Sequence, residues 1–350
     1  LEASKEDIVE SEKAPLKTIG FYRQTLAKNL SKDVFKPNPK RLIWFSVSLI
    51  TSLSCFFLIV RGNFPWPIKV IFGLVAGCCN GILAFISHEL FHGSIVRSQR
   101  AQTILGFFGA LPFFISPTFW RFWHNKLHHG KTQQLIRDPD AFPNLRIYKS
   151  SRFMKMMFPY TPGSGHKRSI SYFFFWFSFH NFVAQTYLRF RNSVFETLDQ
   201  KQVTLEFGLQ VLIAIGLLAY AGPRHWVYVL LIPLVVQNYL LMSYISTNHN
   251  LSPLTNQNDP LMNSLTVTNF NFLEFMHLNF GYHVEHHIFP TVNPVHAKVI
   301  HRELLKAFPE NFQVMTKWKA VKALYATSRI YKSSHELINP ETKNIYKTIT

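Results

Sequence analysis

Apolar positions in this chain of 350 residues are gathered into runs instead of being spread evenly. Four of them, Leu42 to Val60, Ile68 to Ser87, Leu205 to Tyr220 and Trp226 to Ser246, are at or near the length needed to span a bilayer. Roughly 20 helical residues cover the ~30 Å of hydrocarbon. Only "RGNFPWP" separates the first two runs and "AGPRH" the last two, so each pair predicts a helical hairpin. Pro112 and Pro117 break a further run, Ile104 to Trp120, into pieces too short to span, which predicts an interfacial helix or a re-entrant turn. Another, Ile170 to Leu188, is long enough but carries His180, Asn181 and Gln185, each costly against lipid. The predicted fold is all-α and integral to a membrane: four transmembrane helices in two hairpins, interfacial helices and a histidine-rich cap. Residues 1–41 read as a polar N-terminal segment, 42–294 as the membrane-embedded domain, and 295–350 as a basic tail.

Composition sharpens this picture. The chain has 34 Phe and only 16% charged residues, as a polytopic membrane protein does. Its formal charge of +18 would otherwise suggest a nucleic-acid partner. Arg61, Lys69 and Arg224 are the only basic residues at the short-loop ends, and the rest of the 37 Lys and Arg lie in the tails and the central segment. The positive-inside rule then predicts both termini and the middle on the cytoplasmic side, facing anionic headgroups and not nucleic acid. Cys55, Cys78 and Cys79 fall inside predicted spans and read as packing residues. The polar opening lacks a signal-peptide core, so targeting is expected from the first span. Gly73, Gly77 and Gly81 form a small-residue stripe suited to close helix packing. In the tail, "HAKVIHRELLKAF" and "KWKAVKALYA" predict amphipathic helices on the membrane surface.

Candidate chemistry lies with the 16 histidines. "HELFH" contributes His88 and His92; "HNKLHH" contributes His124, His128 and His129; "TNHN" contributes His249; "HVEHH" contributes His283, His286 and His287. On an α-helix, positions i and i+4 share a face, so H-x-x-x-H-H offers two nitrogens one way and a third towards a neighbouring ion. Nine imidazoles exceed the needs of one ion and suit two. If the groups form one site, the number of crossings between them is even, which lays Ile170 to Leu188 along the membrane.

"HELFH" also fits the zinc-protease signature, in which Glu89 would be the base. That reading, an intramembrane zinc protease, leaves "HNKLHH" and "HVEHH" without a role. Glu-x-x-His occurs at Glu89 and Glu274 as in soluble di-iron carboxylate bundles, but apolar spans stand where the other glutamate-bearing helices would be. Imidazole suits Fe, Zn, Cu and Ni alike. Asp138, Asp140, Asn248, Glu285 and Glu89 sit next to the candidate ligands and are candidates to accept their other N–H. His180, Trp120 and Trp123 are candidate substrate contacts; His166, His225, His277, His296, His301 and His335 read as surface residues.

The three boxes, the single His249 after the last span, "DPDAFP" at 138–143 and "EHHIFP" at 285–290 resemble the membrane-bound fatty acid desaturase superfamily from about Leu42 to Pro294. The resemblance implies two iron ions held by the nine histidines at the cytoplasmic face. It also implies O2 as co-substrate and two electrons used to remove two hydrogens from a fatty acyl chain carried on CoA, acyl-carrier protein or a lipid. Phe-rich segments 105–123 and 172–182 are candidate walls of an acyl tunnel. Related outcomes are hydroxylation of a fatty acid or alkane, carotenoid modification, and decarboxylation to an alkene. Acyl-CoA desaturases carry an Asn four residues before the isolated His; Ile245 stands there, with Asn248 and Asn250 flanking His249. No His-Pro-Gly-Gly motif is present, so a separate ferredoxin or cytochrome b5 is the expected donor.

Overall fold

The computed structural model describes residues 15–349, so the start of the predicted N-terminal segment, 1–14, lies outside the described residues. Among the described residues four helices are long and apolar enough to cross a membrane: Arg41–Arg61, Trp66–Phe91, Gln200–Ala221 and Val227–His249. Each is longer than the apolar run that predicted it, because helical backbone bonding continues into polar sequence. The second span runs on through Ser87, His88 and Glu89 and ends at Phe91, which places the first histidine box on the span's last turn.

By compactness the chain divides into two units that alternate along the sequence. The first comprises Lys36–Phe122 and Phe173–Met242 and holds most of the membrane-crossing length. Within it the predicted glycine stripe receives the fourth span: a Cβ at Gly77 would stand 2.6 Å from Cβ of Val236, and one at Gly73 2.7 Å from the carbonyl of Tyr228. The fourth span opens as a π-helix over Val227–Leu231, ahead of Pro233, which has no N–H to donate to a regular ladder.

The run broken by Pro112 and Pro117 is a pair of helices, Gln99–Phe113 and Pro117–Lys131, bent by 94°. Phe114 at the break takes a left-handed φ of 55°. A turn like this exposes backbone groups that lipid cannot satisfy. Three glutamines supply the missing partners. Gln185 donates to the carbonyl of Phe114 (2.7 Å) and accepts from Ser116 N–H (3.0 Å); Gln210 donates to Ile115 (3.1 Å) and Gln237 to Pro112 (2.8 Å). Glu206 on the third span accepts from Thr118 N–H at 3.0 Å and from the Ser116 hydroxyl at 2.5 Å. Helix Tyr172–Thr186 has only 15 residues, too few to span, and Asn181 and Gln185 are buried in protein.

The second unit comprises, of the described residues, 15–35, 123–172 and 243–349. Its core joins Tyr22 and Leu26 of helix Ile19–Ala27 to Val284, Ile288, Ile300, Leu304 and Phe312. Ile300 and Leu304 belong to helix Ala297–Ala307, so the apolar face predicted to lie on a membrane is occupied inside the protein. Two small sheets, which periodicity does not reveal at three residues per strand, complete it. Strand β1 (Thr266–Thr268) pairs in parallel with β2 (Val314–Thr316), and β3 (Glu336–Ile338) antiparallel with β4 (Ile345–Lys347).

Candidate metal centre

The second box lies on a π-helix, Arg121–His128. Its wider i→i+5 turn brings residues five apart onto one face. His124 and His129 consequently meet, Nε2 to Nε2 at 3.1 Å, while His128 turns towards His249 at 3.2 Å. α-Helical spacing predicts the other partition, with His124 beside His128, and the π-turn is the physical reason for the difference. The third box, on helix His283–Ile288, follows ordinary α spacing. Val284 and Ile288 enter the core, which leaves His283 and His287 together on another face, Nε2 to Nε2 at 3.1 Å. His286 points to His129 at 3.1 Å.

Seven histidines of this unit therefore form two groups. His128, His249, His283 and His287 present ring nitrogens within 4.8 Å of one another, all four side chains buried; His124, His129 and His286 also converge, with His286 only partly buried. The hydrogen bonds decide what faces inward. Nδ1 of His249 lies 3.0 Å from the carbonyl of Asn263, which can only accept, so Nδ1 carries the proton and Nε2 a lone pair. Nδ1 of His128 lies 3.0 Å from Oδ1 of Asp138, with the same consequence. In neutral imidazoles the two Nε2 lone pairs then oppose each other at 3.2 Å, and His249 opposes His283 at 2.6 Å. Such a set is repulsive until a cation occupies it, and its donors fit Fe, Zn, Cu or Ni. Burial, and then the surrounding imidazoles, hold His287 well below the usual histidine pKa, which keeps it in the ligating form.

The oxygen partners come from several places in sequence. Asp138 also accepts from Gln133 N–H (2.8 Å) and Asp140 N–H (3.0 Å). Gln133 takes a left-handed φ of 57° and its amide donates to the carbonyl of His249 (2.7 Å), tying the Asp138 loop to the end of the fourth span. Asp140 lies 3.4 Å from Nδ1 of His128 and accepts from Trp123 Nε1 at 3.1 Å, so that indole N–H is engaged. Burial pushes the Asp140 carboxyl up to about 6, against the pull of His128. Glu285 accepts from the Thr266 hydroxyl (2.5 Å) and lies 2.6 Å from Nδ1 of His301. Asn248 is fully buried, and neither amide atom is bonded within the described residues. The carbonyl of Asn263 and the hydroxyl of Thr132, 3.4 Å from Nδ1 of His287, carry no motif that sequence reading could find. Three histidines read as surface residues are engaged instead: His301 with Glu285, His277 with Tyr244 (2.8 Å), and His225, buried against the carbonyl of Ala221 (2.7 Å).

In the other unit, His88 and His92 end the second span with ring centroids 4.7 Å apart, as i and i+4 on one face. Glu89 is buried with its carboxylate 3.4 Å from Arg41. Trp120 stands edge-on to His88 (6.3 Å) and to Phe177 (6.4 Å), and His180 stacks on Trp176 (5.7 Å).

Four apolar helices define a helical membrane protein, and its clusters of imidazole nitrogens are compatible with a metal site. More narrowly, the chain belongs to the fatty acid desaturase family, whose model matches residues 64–319, a family of oxidoreductases. Comparison with curated proteins gives no match.

Proposed function

We propose that this protein is a membrane fatty acyl desaturase that converts a –CH2–CH2– unit of an acyl chain into –CH=CH–, the two hydrogens removed combining with O2, two electrons and two protons to leave as two waters. The observation that carries this reading is the convergence of seven histidine rings, six of them buried, in two adjacent groups, with lone pairs opposed between His128 and His249, within a family that acts on fatty acids. One iron ion would be held by His128, His249, His283 and His287. The other would be held by His124, His129 and His286, with His88 and His92 as its remaining ligands. When bound, the two ions would supply oxygen activation and take up the electrons that leave with two hydrogens.

The chain's own residues do the rest. Asp138 and the carbonyl of Asn263 keep the Nδ1 protons of His128 and His249 outward and their lone pairs inward. Trp120, Phe177 and Phe113, the last two with ring centroids 5.3 Å apart, form an apolar wall that excludes water and aligns an acyl chain. On this reading the histidines face the cytoplasm, and the excess of Lys and Arg there steers an acidic donor such as ferredoxin or cytochrome b5.

The test is metal analysis by plasma mass spectrometry on protein purified without a metal-affinity tag, followed by mass spectrometry of lipid products. About two ions per chain are expected, with both the ions and turnover lost in His286→Ala and His287→Ala. Hydroxylated products would assign the site to the oxygen-inserting branch. A single ion that depends on His88 and His92 but not on His286 and His287 would overturn the binuclear reading and favour peptide hydrolysis at "HELFH".

A further inference from the structure

One end of the β1–β2 ladder carries a cluster that the proposed chemistry does not use. The parallel register pairs Thr268 with Thr316, so the chain leaves the two strands through Asn269 and Lys317, then Phe270 and Trp318. Lys317 Nζ lies 3.1 Å from the ring centroid of Tyr244. The Tyr244 hydroxyl accepts from Asn269 Nδ2 (2.9 Å) and donates to Nδ1 of His277 (2.8 Å). Lys317 also opens helix Lys317–Ala326, whose first turn contains no acidic residue. Its ammonium is half-buried beside the positive end of a helix dipole.

Among the described residues nothing neutralises this charge. Glu274 is matched by Lys298 at 2.7 Å and by the Tyr282 hydroxyl at 3.1 Å. Among the described residues no carboxylate stands within ion-pair distance of Lys317. Burial, and then the charge of Lys317, push His277 down to about 4, so it stays neutral. Burial holds the Lys317 amine well below the usual lysine range, so keeping it charged costs free energy that a bound anion offsets.

The surroundings say where such an anion comes from. Helix Asn271–Met276 is inverted for a soluble protein: Glu274 is buried, while Phe272 and Phe275 are 69% and 60% exposed. Phe270 and Trp318 are 83% and 77% exposed. Exposed aromatic rings around a lysine match the headgroup layer of a bilayer, where rings sit among upper acyl carbons and lysine meets phosphate. We propose that this corner binds the phosphate of a bilayer phospholipid: Lys317 and the first turn of its helix hold the phosphate, and Phe270, Phe272, Phe275 and Trp318 seat among the acyl chains. This does not depend on the reaction proposed for the histidines, because binding is read without turnover.

Native mass spectrometry of the full chain in detergent, titrated with phosphatidylglycerol, tests it. The tightest lipid-binding step should weaken about tenfold in Lys317→Gln and be kept in Lys317→Arg, as loss and retention of a charge-assisted contact require. Millimolar inorganic phosphate or coenzyme A should not displace that lipid. Equal lipid retention by wild type and Lys317→Gln overturns the proposal, and displacement by phosphate or coenzyme A overturns the bilayer as the source. Should Lys317→Gln lower the melting temperature, the exposed variant Phe272→Ser decides: weakened lipid binding supports the site, and unchanged binding refutes it.

Discussion

Replacing Asp138 tests the logic of the centre most directly. Its Oδ1 stands 3.0 Å from both His128 Nδ1 and Asp140 N, and its Oδ2 stands 2.8 Å from Gln133 N. The carboxylate is 4% exposed. Asp138→Ala leaves the N–H groups of Gln133 and Asp140 without their acceptor, and leaves the Nδ1–H of His128 only the more distant Asp140 carboxylate at 3.4 Å. A buried donor without a partner costs about 1–3 kcal/mol, so the two N–H groups together cost roughly 2–6 kcal/mol. Asp138→Asn separates packing from proton placement. Its volume is nearly unchanged, but one oxygen becomes an NH2. Whichever way the amide turns, a donor faces either His128 Nδ1–H or Gln133 N–H. His128 is then free to flip its proton to Nε2, which removes the lone pair from the four-histidine group. Losing such an orienting partner typically lowers metal affinity about 10–100-fold. The assay is metal retained per chain after dialysis against a graded chelator series, read beside the melting temperature in the same detergent. Retention and melting equal to wild type in both variants would falsify the claim that Asp138 sets the His128 tautomer.

Three further outcomes are expected. A Cβ at Gly281 would fall 2.1 Å from the carbonyl of Val267, so Gly281→Ala should lose about 1–3 kcal/mol by overpacking and also lose metal, since His283 follows two residues on; normal metal content would show that the β1 contact does not position the third box. Glu206→Ala strands the N–H of Thr118 and the hydroxyl of Ser116 and should lower thermal stability by about 1–3 kcal/mol per donor left buried, while Glu206→Gln keeps part of it; an unchanged melting curve for the alanine variant would count against a turn held by that carboxylate. Gly77→Val should destabilise the spans by clashing with Val236 and Pro233, whereas Gly208→Ala, with nothing within 4 Å, should not; equal melting temperatures would refute the close approach along the glycine stripe.

Much of this architecture is legible in the chain itself. The four spans follow from run length, because lipid demands about 20 apolar residues whatever their partners. The histidines reveal themselves by clustering, since imidazole is too costly near a membrane to recur at fixed spacing without a use. What stayed hidden depends on contacts distant in sequence. Gln185 looks like an expensive polar residue until the bend after Phe113 shows which carbonyl it satisfies, and Gln210 and Gln237 join it there without any signal in the sequence. Likewise His301 and His225 look like surface residues until Glu285 and the carbonyl of Ala221 are seen beside them.

Residue type and spacing alone therefore determined the four apolar helices, the break between two prolines and which histidines stand out as candidates. Tertiary structure decided which histidine faces which. Periodicity assumes 3.6 residues per turn, and the π-helix over Arg121–His128 changes that locally, so His124 joins His129 and His128 joins His249. Only the fold could also place the carbonyl of Asn263 against Nδ1 of His249, because every residue has a carbonyl and only its position in space makes one a hydrogen-bond partner.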